Sequence, residues 1–446
     1  MCALLKEDVG KLITITNVKE DKEITFRGYL VDIKDNFYKI RLLDNGYNVD
    51  VLVTSSSKVT IEDQKISLGK PKVQPLNYNK DLPNIVYIGT GGTIGTHVDY
   101  NTGGVFMCRT PEEIISTTPE LEKIINIKET KSPFIKASED LGYKDWQEIS
   151  KIVYNSIIQK EIDGVIITHG TDTLSWTGSA ISFLIDNINK PVLLVGAQKS
   201  PDRASFDGSM NLICAAHFVK EKIPGVYTVM HGSINDDFCY VIKAVKSKKL
   251  HTSRRDSFRA INDYPNAKVY QNGTIEYLVN KNEIVVLKQP ILNNLFCNKV
   301  AIIKVYPDSD PKIIDWYLEN NYKGLVIEGT ALGHVPILKT ENGYEDNSWL
   351  PYLKKAIENN VIVIMCSQSI FGRVNGKVYA NLRHLEKIGV EFLEQHDMLV
   401  EVAYLKLANT LSRFKTKKEI INFMKINLVG EISNKEIAGS FEKSLE

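Results

Sequence analysis

NIVYIGTGGTIG, at residues 84–95, is an unbroken apolar run that ends in small and polar residues. The same pattern occurs in GVIITHGTDT at 164–173. Its apolar part alone recurs in PVLLVG at 191–196 and in GVYTVM at 225–230. Runs of this kind are typical of strands buried on both faces of a parallel sheet. Helix-like spacing of apolar residues lies between them, as at 146–158. The alternation predicts a doubly wound parallel α/β sheet with its ligand site at the carboxyl ends of the strands.

A second alternation of strands and helices begins near residue 300. The strand-like runs KVAIIKVYP, KGLVIEG and VIVIMCSQ are separated by the helix-like stretches KIIDWYLENN and LPYLKKAIENN. We therefore predict a large α/β domain over 85–290, which carries the active site, and a smaller C-terminal α/β domain over 300–446. KTKKEIINFMKINLVGEI, at 415–432, predicts an amphipathic helix close to the end of the chain.

The first 70 residues have no helical periodicity, and short β-rich runs alternate there with polar breaks. These runs lie at 12–18, 23–34, 37–44, 47–53 and 58–61. Asn45 and Gly46, between the third and fourth run, form a strong hairpin signal because both tolerate the positive φ of a type I′ turn. Five short strands with tight turns predict a small barrel-like β module over 1–70. The proline-containing segment at 71–84 is predicted to be a linker.

The composition is that of an ordinary folded protein, with 43% hydrophobic and 24% charged residues among 446. Lys and Arg total 55 against 54 Asp and Glu, so a net charge of +1 excludes a whole-protein basic field for nucleic acid. The six cysteines form no CxxC pair and no HExxH motif occurs, so we predict neither a metal site nor a disulfide framework. No apolar run approaches the roughly 18 residues of a membrane helix. The expected location is the cytoplasm.

The turn GTGGTIG follows the first buried strand and is the first candidate site. A dinucleotide fingerprint needs a glycine where Ile94 stands, and a phosphate loop needs a lysine that is not there, so both are disfavoured. A simple tight turn between strand and helix is one remaining interpretation. The other is a glycine-walled turn that presents the Thr93 hydroxyl as a nucleophile, with backbone N–H groups at Gly91 and Gly92 as oxyanion donors.

The turn THGTDT follows the second strand and is the second candidate site. Thr171, Asp172 and Thr173 are candidate N-caps of the next helix, an interpretation that is compatible with catalysis. A hydroxyl nucleophile needs a positioned base or a proton relay, and an unprotonated lysine beside a threonine would serve. His169 is also available as a base, although a single histidine in a turn is more often structural.

The run VKSKKLHTSRRDSFR, at 245–259, holds six basic side chains and is the third candidate. Such a run is ordinarily a solvated face of the protein. Alternatively, one lysine is drawn into a carboxylate-rich pocket, where burial lowers its pKa toward that of a useful base. The sequence alone does not select the lysine.

Taken together, TGGTI at 90–94, HGTDT at 169–173 and a downstream lysine in a K-x-x-T setting resemble the bacterial-type L-asparaginase and glutaminase family. Three further matches are DYNTGGV at 99–105, SEDL at 138–141 and VGAQ at 195–198. The resemblance extends from about residue 84 to the C-terminus. It implies the two-domain α/β fold of that family.

The resemblance also implies roles for individual residues. Thr93 would be the acyl-accepting nucleophile, Thr171 and Lys249 would form the proton relay, and Asp172 would hold the α-amino group of the substrate. The other implied substrate contacts are Ser138, Glu139 and Tyr100. The loop between Thr93 and Tyr100 is shorter than in free-standing periplasmic asparaginases, so the match is less complete at Tyr100.

The β module and the phrases SPDRASFDG and KLHTSRRDSFRAIN more narrowly resemble the family of archaeal glutamyl-tRNA(Gln) amidotransferase D subunits. This resemblance implies a glutaminase that supplies ammonia to a kinase and amidotransferase E subunit. The partner would bind ATP and Mg²⁺ and hold tRNA(Gln), while this chain would need no cofactor. A homodimeric core that gives a heterotetramer with the partner is also implied.

Two other functions stay open at this point. A free-standing L-asparaginase would share the two Thr-bearing turns and the lysine, although it would not need the β module. A non-enzymatic scaffold would use the β module to bind RNA or to dock on protein. Basic residues in the module alternate with acidic ones, which favours protein docking, and the complete set Thr93, Thr171, Asp172 and Lys249 argues against an inert scaffold.

Overall fold

The computed structural model describes residues 8–19, 22–44, 47–62, 78–98, 105–107, 111–201, 203, 205–279, 288–337 and 347–441. These residues form three larger sheets, which along the chain have five, eight and three strands. The predicted fold class, a doubly wound α/β domain between a β module and a smaller α/β domain, is confirmed. The predicted domain limits remain predictions.

The five-stranded sheet forms the β module, and its strands pair in the order β4-β3-β2-β1-β5, all antiparallel. The strands are β1 (Leu12–Lys19), β2 (Lys22–Lys34), β3 (Phe37–Leu42), β4 (Asn48–Leu52) and β5 (Lys58–Glu62). Alternating apolar residues such as Ile13, Ile15 and Leu30 fill its core. Asn17 in β1 donates to the carbonyl of Leu52 in β4 at 2.9 Å, so the sheet curls toward a barrel. The Asn45-Gly46 turn lies outside the described residues, as does the first half of the predicted linker, residues 71–77.

The eight-stranded sheet has the order β18-β17-β14-β13-β12-β10-β6-β9. The strands of this region are β6 (Asn84–Gly89), β7 (Thr96–Val98), β8 (Val105–Met107), β9 (Asn126–Lys131), β10 (Gly164–Thr168), β11 (Ile185–Asp186), β12 (Pro191–Val195), β13 (Gly225–His231), β14 (Cys239–Lys243), β15 (Ser247–Lys249), β16 (Phe258–Ala260), β17 (Ala267–Val269), β18 (Ile275–Tyr277) and β19 (Ile291–Leu292). Its helices are α1 (Pro111–Ser116), α2 (Tyr143–Ile157), α3 (Leu174–Leu184) and α4 (Gly208–Val219). Neighbouring strands in the series β9, β6, β10, β12 and β13 are parallel, which confirms the prediction for β6, β10, β12 and β13.

Two separate cores sandwich this sheet. Ile85 and Tyr87 of β6 enter one core with α4, whereas Val86 and Ile88 enter the other with α2 and α3. The sheet is antiparallel from β13 through β14 to β18. For the pairs β13–β14 and β17–β18, the connecting chain is too short for the crossover that a parallel pair needs.

The three-stranded parallel sheet belongs to the C-terminal region and has the order β20-β21-β22. Its elements are β20 (Val300–Lys304), α5 (Ile313–Glu319), β21 (Gly324–Gly329), α6 (Leu350–Glu358), β22 (Ile362–Ser367), α7 (Ala380–Ile388), α8 (Val400–Arg413) and α9 (Lys417–Lys425). The helix predicted over 415–432 is too long, because the Glu431 carboxylate accepts the backbone N–H groups of Leu428 and Val429 and holds a turn there. α8 shares one core with α3, which joins the two α/β regions. Among the described residues, no helix is long and apolar enough to cross a bilayer.

Candidate functional site

The two candidate turns begin side by side. β6 and β10 are paired in parallel, and their last residues, Gly89 and Thr168, are in register. The backbone N–H and the hydroxyl of Thr90 both donate to the carbonyl of Thr168, at 3.1 and 2.9 Å. Below them, the Tyr87 hydroxyl donates to the Thr168 hydroxyl at 3.0 Å. These bonds fix both turns at one edge of the sheet, the place where ligands bind in doubly wound folds.

Gly92 lets the two turns touch. Its φ is +80°, and a β-carbon on it would lie 2.2 Å from the α-carbon of Gly170 in the second turn. A side chain is therefore excluded both by backbone conformation and by space. Thr93 follows Gly92 in a single 3₁₀ turn, where its carbonyl accepts the Thr96 hydroxyl at 2.7 Å. The Thr93 residue is partly exposed, as a residue that meets a substrate must be.

Lys249 is the lysine that joins the second turn. Its ammonium donates to the Thr171 hydroxyl at 2.8 Å and to the Asp172 carboxylate at 2.6 Å. Thr171 is buried, whereas the Asp172 side chain is 64% exposed and open to a ligand. The interpretation of the basic run as a solvated face is wrong for Lys246 as well, which is buried against Asp397. Lys249 and Lys246 each contact a carboxylate instead, that of Asp172 and that of Asp397.

Ser138 also reaches this site, and Glu139 lies beside it. Ser138 begins a short 3₁₀ turn, is buried, and packs its side chain against Gly170. Its carbonyl accepts the Thr173 hydroxyl at 2.6 Å. Thr173 occupies the N-cap position of α3. Its side chain does not accept a hydrogen bond from the first turn of the helix, so the predicted side-chain cap is not formed. Glu139 is exposed, and Tyr100 lies outside the described residues.

Of the two interpretations of His169, a catalytic base or a structural residue, the structure favours the structural residue. Its Nδ1 donates to the carbonyl of Gly170 at 2.7 Å, which leaves Nε2 to accept the Thr177 hydroxyl at 2.8 Å. The indole N–H of Trp146 donates to that same hydroxyl. Burial lowers the pKa of His169 to about 4, only partly opposed by its bond to Gly170. A buried imidazole with both nitrogens bonded cannot serve as the base.

Two residues that the sequence analysis did not identify, Asn211 and Asp207, hold the backbone next to the site through hydrogen bonds. The Asn211 amide donates to the carbonyl of Gly196 at 3.0 Å, and Gly196 lies directly against the Thr171 methyl group. The Asp207 carboxylate accepts the backbone N–H groups of Gln198 and of the residue after it, and burial raises its pKa. Asp207 lies in the phrase SPDRASFDG, but nothing in its spacing signals that it would hold a turn.

The assembled groups are those of an acyl-transfer site. A threonine stands in a glycine-walled turn, a second threonine is bonded to a lysine, and an exposed carboxylate can receive a substrate ammonium group. Nucleophile, proton relay and anchor are the three parts that hydrolysis of an amide through an acyl-enzyme requires.

Comparisons with known proteins agree with this class. The family model "Asparaginase, N-terminal" matches residues 84–283, and "Glutaminase/Asparaginase C-terminal domain" matches residues 299–424. Among solved structures, the thermostable L-asparaginase from Thermococcus kodakarensis aligns with a TM-score of 0.69 and 25% identity, over 79% of this chain and 100% of its own. L-asparaginase I from Vibrio cholerae aligns with a TM-score of 0.65 at 24% identity, over 79% of this chain and 99% of its own, which shows the fold. The fold and the site define a protein of the asparaginase and glutaminase class.

Closer relatives cover nearly the whole chain, including the β module. The glutamyl-tRNA(Gln) amidotransferase D subunit of Pyrococcus abyssi is 37% identical over 436 residues, which is 96% of this chain and 95% of that protein. The D subunit of Methanopyrus kandleri is 38% identical, over 98% of this chain and 95% of that protein. This chain belongs to the family of glutamyl-tRNA(Gln) amidotransferase D subunits.

Proposed function

We propose that this chain hydrolyses glutamine and supplies the released ammonia to a tRNA-dependent amidotransferase of which it is a subunit. The observation that carries the proposal is the Lys249 ammonium bonded to Thr171 and Asp172, at the strand end where the Thr93 turn also lies. Membership in the family of amidotransferase D subunits supplies the context of a multi-subunit enzyme.

The chemistry follows from the positions of these groups. The Thr93 oxygen attacks the side-chain amide carbon of glutamine, and the backbone N–H group of Gly91 stabilises the oxyanion. The expected donor role of Gly92 is not part of this proposal, because Gly91 forms a parallel bridge with Lys136 that uses the Gly92 N–H. The proton of the attacking hydroxyl passes through Thr171 and Lys249 to the departing nitrogen, which leaves as ammonia. Water then cleaves the acyl ester and releases glutamate.

Substrate recognition in this proposal uses the groups around the two turns. The exposed Asp172 carboxylate pairs with the α-ammonium group of glutamine, and Ser138 and Glu139 contact its α-carboxylate and amino end. Tyr100, which lies outside the described residues, is the remaining substrate contact in this proposal. The buried position of Ser138 against Gly170 supports its part, because it brings the SEDL segment to the second turn.

The partner in this proposal is a kinase and amidotransferase E subunit. It binds ATP and Mg²⁺, holds most of tRNA(Gln), and uses the ammonia to convert the glutamate of Glu-tRNA(Gln) to glutamine. A homodimer of this chain forms the core of a heterotetramer in the cytoplasm. The net charge of +1 supports the division of labour, because this chain has no overall basic field for tRNA.

A free-standing L-asparaginase is the second candidate, and the structural likeness to the Thermococcus kodakarensis L-asparaginase favours it. The two functions differ in substrate and in dependence on a partner. We expect the full chain, co-purified with its partner, to release ammonia from glutamine with a larger kcat/KM than from asparagine, and charged tRNA to raise that rate. Asparagine turnover by the chain alone, unchanged by partner or tRNA, would establish the asparaginase instead.

A further inference from the structure

β15 carries two neighbouring lysines that point in opposite directions. Lys249 donates to Thr171 at the candidate site, whereas Lys248 donates to the Glu401 carboxylate at 2.8 Å. Successive side chains of a strand alternate between its faces, so one face of β15 serves the site and the other serves α8. The strand thus connects the candidate active site to the C-terminal region.

The Glu401 carboxylate, which accepts the hydrogen bond from Lys248, is buried. Glu401 lies in the first turn of α8 with 3% of its side chain exposed, and the Lys248 side chain is 28% exposed. In the described part of the chain, the second carboxylate oxygen of Glu401 is buried and has no hydrogen-bond partner. The ion pair with Lys248 is therefore the interaction that compensates a carboxylate held away from water.

A second ion pair ties the same strand to the same helix. Lys246, directly before β15, donates to the Asp397 carboxylate at 2.8 Å and to the Ser433 hydroxyl at 3.0 Å. Asp397 lies just before α8 and also accepts the backbone N–H of Ser433 at 2.8 Å. Both ionic groups of this pair are almost fully buried. The start of α8 therefore holds β15 at two positions.

β15 needs such anchors because its own sheet is small. Among the strands that the structure describes, it pairs with the three-residue β16 alone and is separate from the eight-stranded sheet that holds the two turns. An isolated two-stranded ribbon is marginally stable by itself. Phe258 and Ala260 of β16 pack in the core with α2 and α3, which holds one side of the ribbon. The ion pairs of Lys246 and Lys248 hold the opposite face of β15, so both sets of contacts fix the strand that carries Lys249.

We propose that Glu401 is a positioning residue of the candidate site. Its ion pair with Lys248 fixes β15 so that the Lys249 ammonium stays within hydrogen-bond distance of the Thr171 hydroxyl. The predicted effect of Glu401 on the reaction rate rests on the proposed glutaminase function. Its structural consequence, the Lys249 to Thr171 contact, is measured separately.

The test compares two carboxylate-to-amide variants of the full chain, co-purified with its partner. E401Q removes the charge that holds Lys248. E431Q removes the charge of a comparably buried carboxylate, which pairs with Lys406 of α8 and does not contact β15. We expect E401Q to lower kcat for glutamine about tenfold with KM within about threefold, because displacement of a catalytic group by about 1 Å costs up to 100-fold. E431Q is expected to keep kcat within about twofold of the wild type, whatever stability it loses.

Crystal structures of both variants provide the readout that does not depend on activity. E401Q is expected to break the 2.8 Å contact between Lys249 and Thr171, and E431Q to preserve it. If E401Q does not fold, the double variant E401M/K248M, which leaves neither a buried unpaired carboxylate nor an unpaired ammonium group, takes its place with the same expected losses. A preserved contact together with kcat within twofold of the wild type overturns the proposal, and so does an equal loss of kcat in E431Q. If the wild type lacks glutaminase activity, the proposed function fails, while the contact still decides whether Glu401 positions Lys249.

Discussion

The Lys249 ammonium makes two contacts with different surroundings. Thr171 is 6% exposed, whereas the Asp172 side chain is 64% exposed, so solvent screens the ion pair far more than it affects the bond to the hydroxyl. We infer that the bond to Thr171 defines the relay, and that Asp172 is free to exchange its lysine partner for a substrate ammonium group.

Removal of either relay group is expected to abolish most of the activity. T171V and K249M keep side-chain size but remove the hydroxyl or the ammonium, and loss of a positioned proton carrier costs about 10²- to 10⁴-fold in rate. Initial rates of ammonia release from glutamine measure the effect. K190M is the matched control, because Lys190 is a partly buried lysine at the opposite end of the sheet, bonded to the carbonyl of Gln159. Either relay variant that retains more than a tenth of the wild-type kcat contradicts the relay.

At the scale of elements, the site depends on two turns that approach more closely than side chains allow. Gly92 and Gly170 meet backbone to backbone, and the strands β6 and β10 behind them are in register to their last residues. The geometry of the candidate site is therefore set by sheet pairing rather than by the loops alone.

Gly92 is expected to tolerate no side chain. G92A places a β-carbon 2.2 Å from the α-carbon of Gly170 at a φ of +80°, so we expect a loss of more than about 3 kcal/mol in the free energy of unfolding. G372A is the control, because Gly372 has a similar φ of +97° but no atom within 4 Å of a new β-carbon. It is expected to lose about 1 kcal/mol, the conformational cost alone. Equal losses in urea unfolding would show that the close approach of the turns is not what excludes a side chain.

Most elements were predictable because local pattern determines them. The unbroken apolar runs of β6, β10, β12 and β13 mark strands with both faces buried, and the five alternating runs of the β module all form strands. α1, α4, α7 and α8 were not predicted, and α9 is shorter than the pattern suggests. Its end is set by Glu431, whose carboxylate holds the next turn through a contact that apolar periodicity does not encode.

The choice among the lysines was not predictable from local pattern. Lys246, Lys248 and Lys249 lie within four positions, and each reaches a partner far away in sequence, namely Asp397, Glu401 and Thr171. Only the tertiary fold brings those partners to the strand. The resemblance to a family selected Lys249, whereas the anchoring roles of the other two required the structure. The roles of the site residues remain predictions until the variants are measured.

At the scale of the whole molecule, two buried histidines make stability depend on pH. Burial lowers the pKa of both His169 and His396 to about 4. Both imidazoles are held neutral: His396 accepts the backbone N–H of Met398 and donates to the carbonyl of Met365. Between about pH 6.5 and 4 the unfolded chain binds more protons than the folded chain, so the free energy of unfolding falls as the pH is lowered.

Each histidine is expected to contribute about 2 kcal/mol to the difference in unfolding free energy between pH 8 and pH 5. H396Q should therefore reduce that difference by about 2 kcal/mol, even though it lowers stability at pH 8. H384Q, at an exposed histidine, is measured alongside as the control for loss of an imidazole at the surface. Urea unfolding at the two pH values measures it. A difference in H396Q equal to that of the wild type would mean that His396 is not held neutral by burial.

The whole molecule also carries a part that catalysis alone does not require. The asparaginase-family models begin at residue 84, after the five-stranded module, whereas the amidotransferase relatives align over 96% to 98% of the chain. The module is thus shared with amidotransferase subunits, which supports a role for this chain within an assembly.

The most direct test of the central claim follows the amide nitrogen of glutamine. The full chain, co-purified with its partner, is given glutamine labelled with ¹⁵N in the amide, ATP, Mg²⁺ and Glu-tRNA(Gln), and the label in Gln-tRNA(Gln) is measured. We predict labelled product from the wild type, none from T93A, and recovery of product in T93A when ammonium chloride is added. Labelled product from T93A at the wild-type rate would contradict the account.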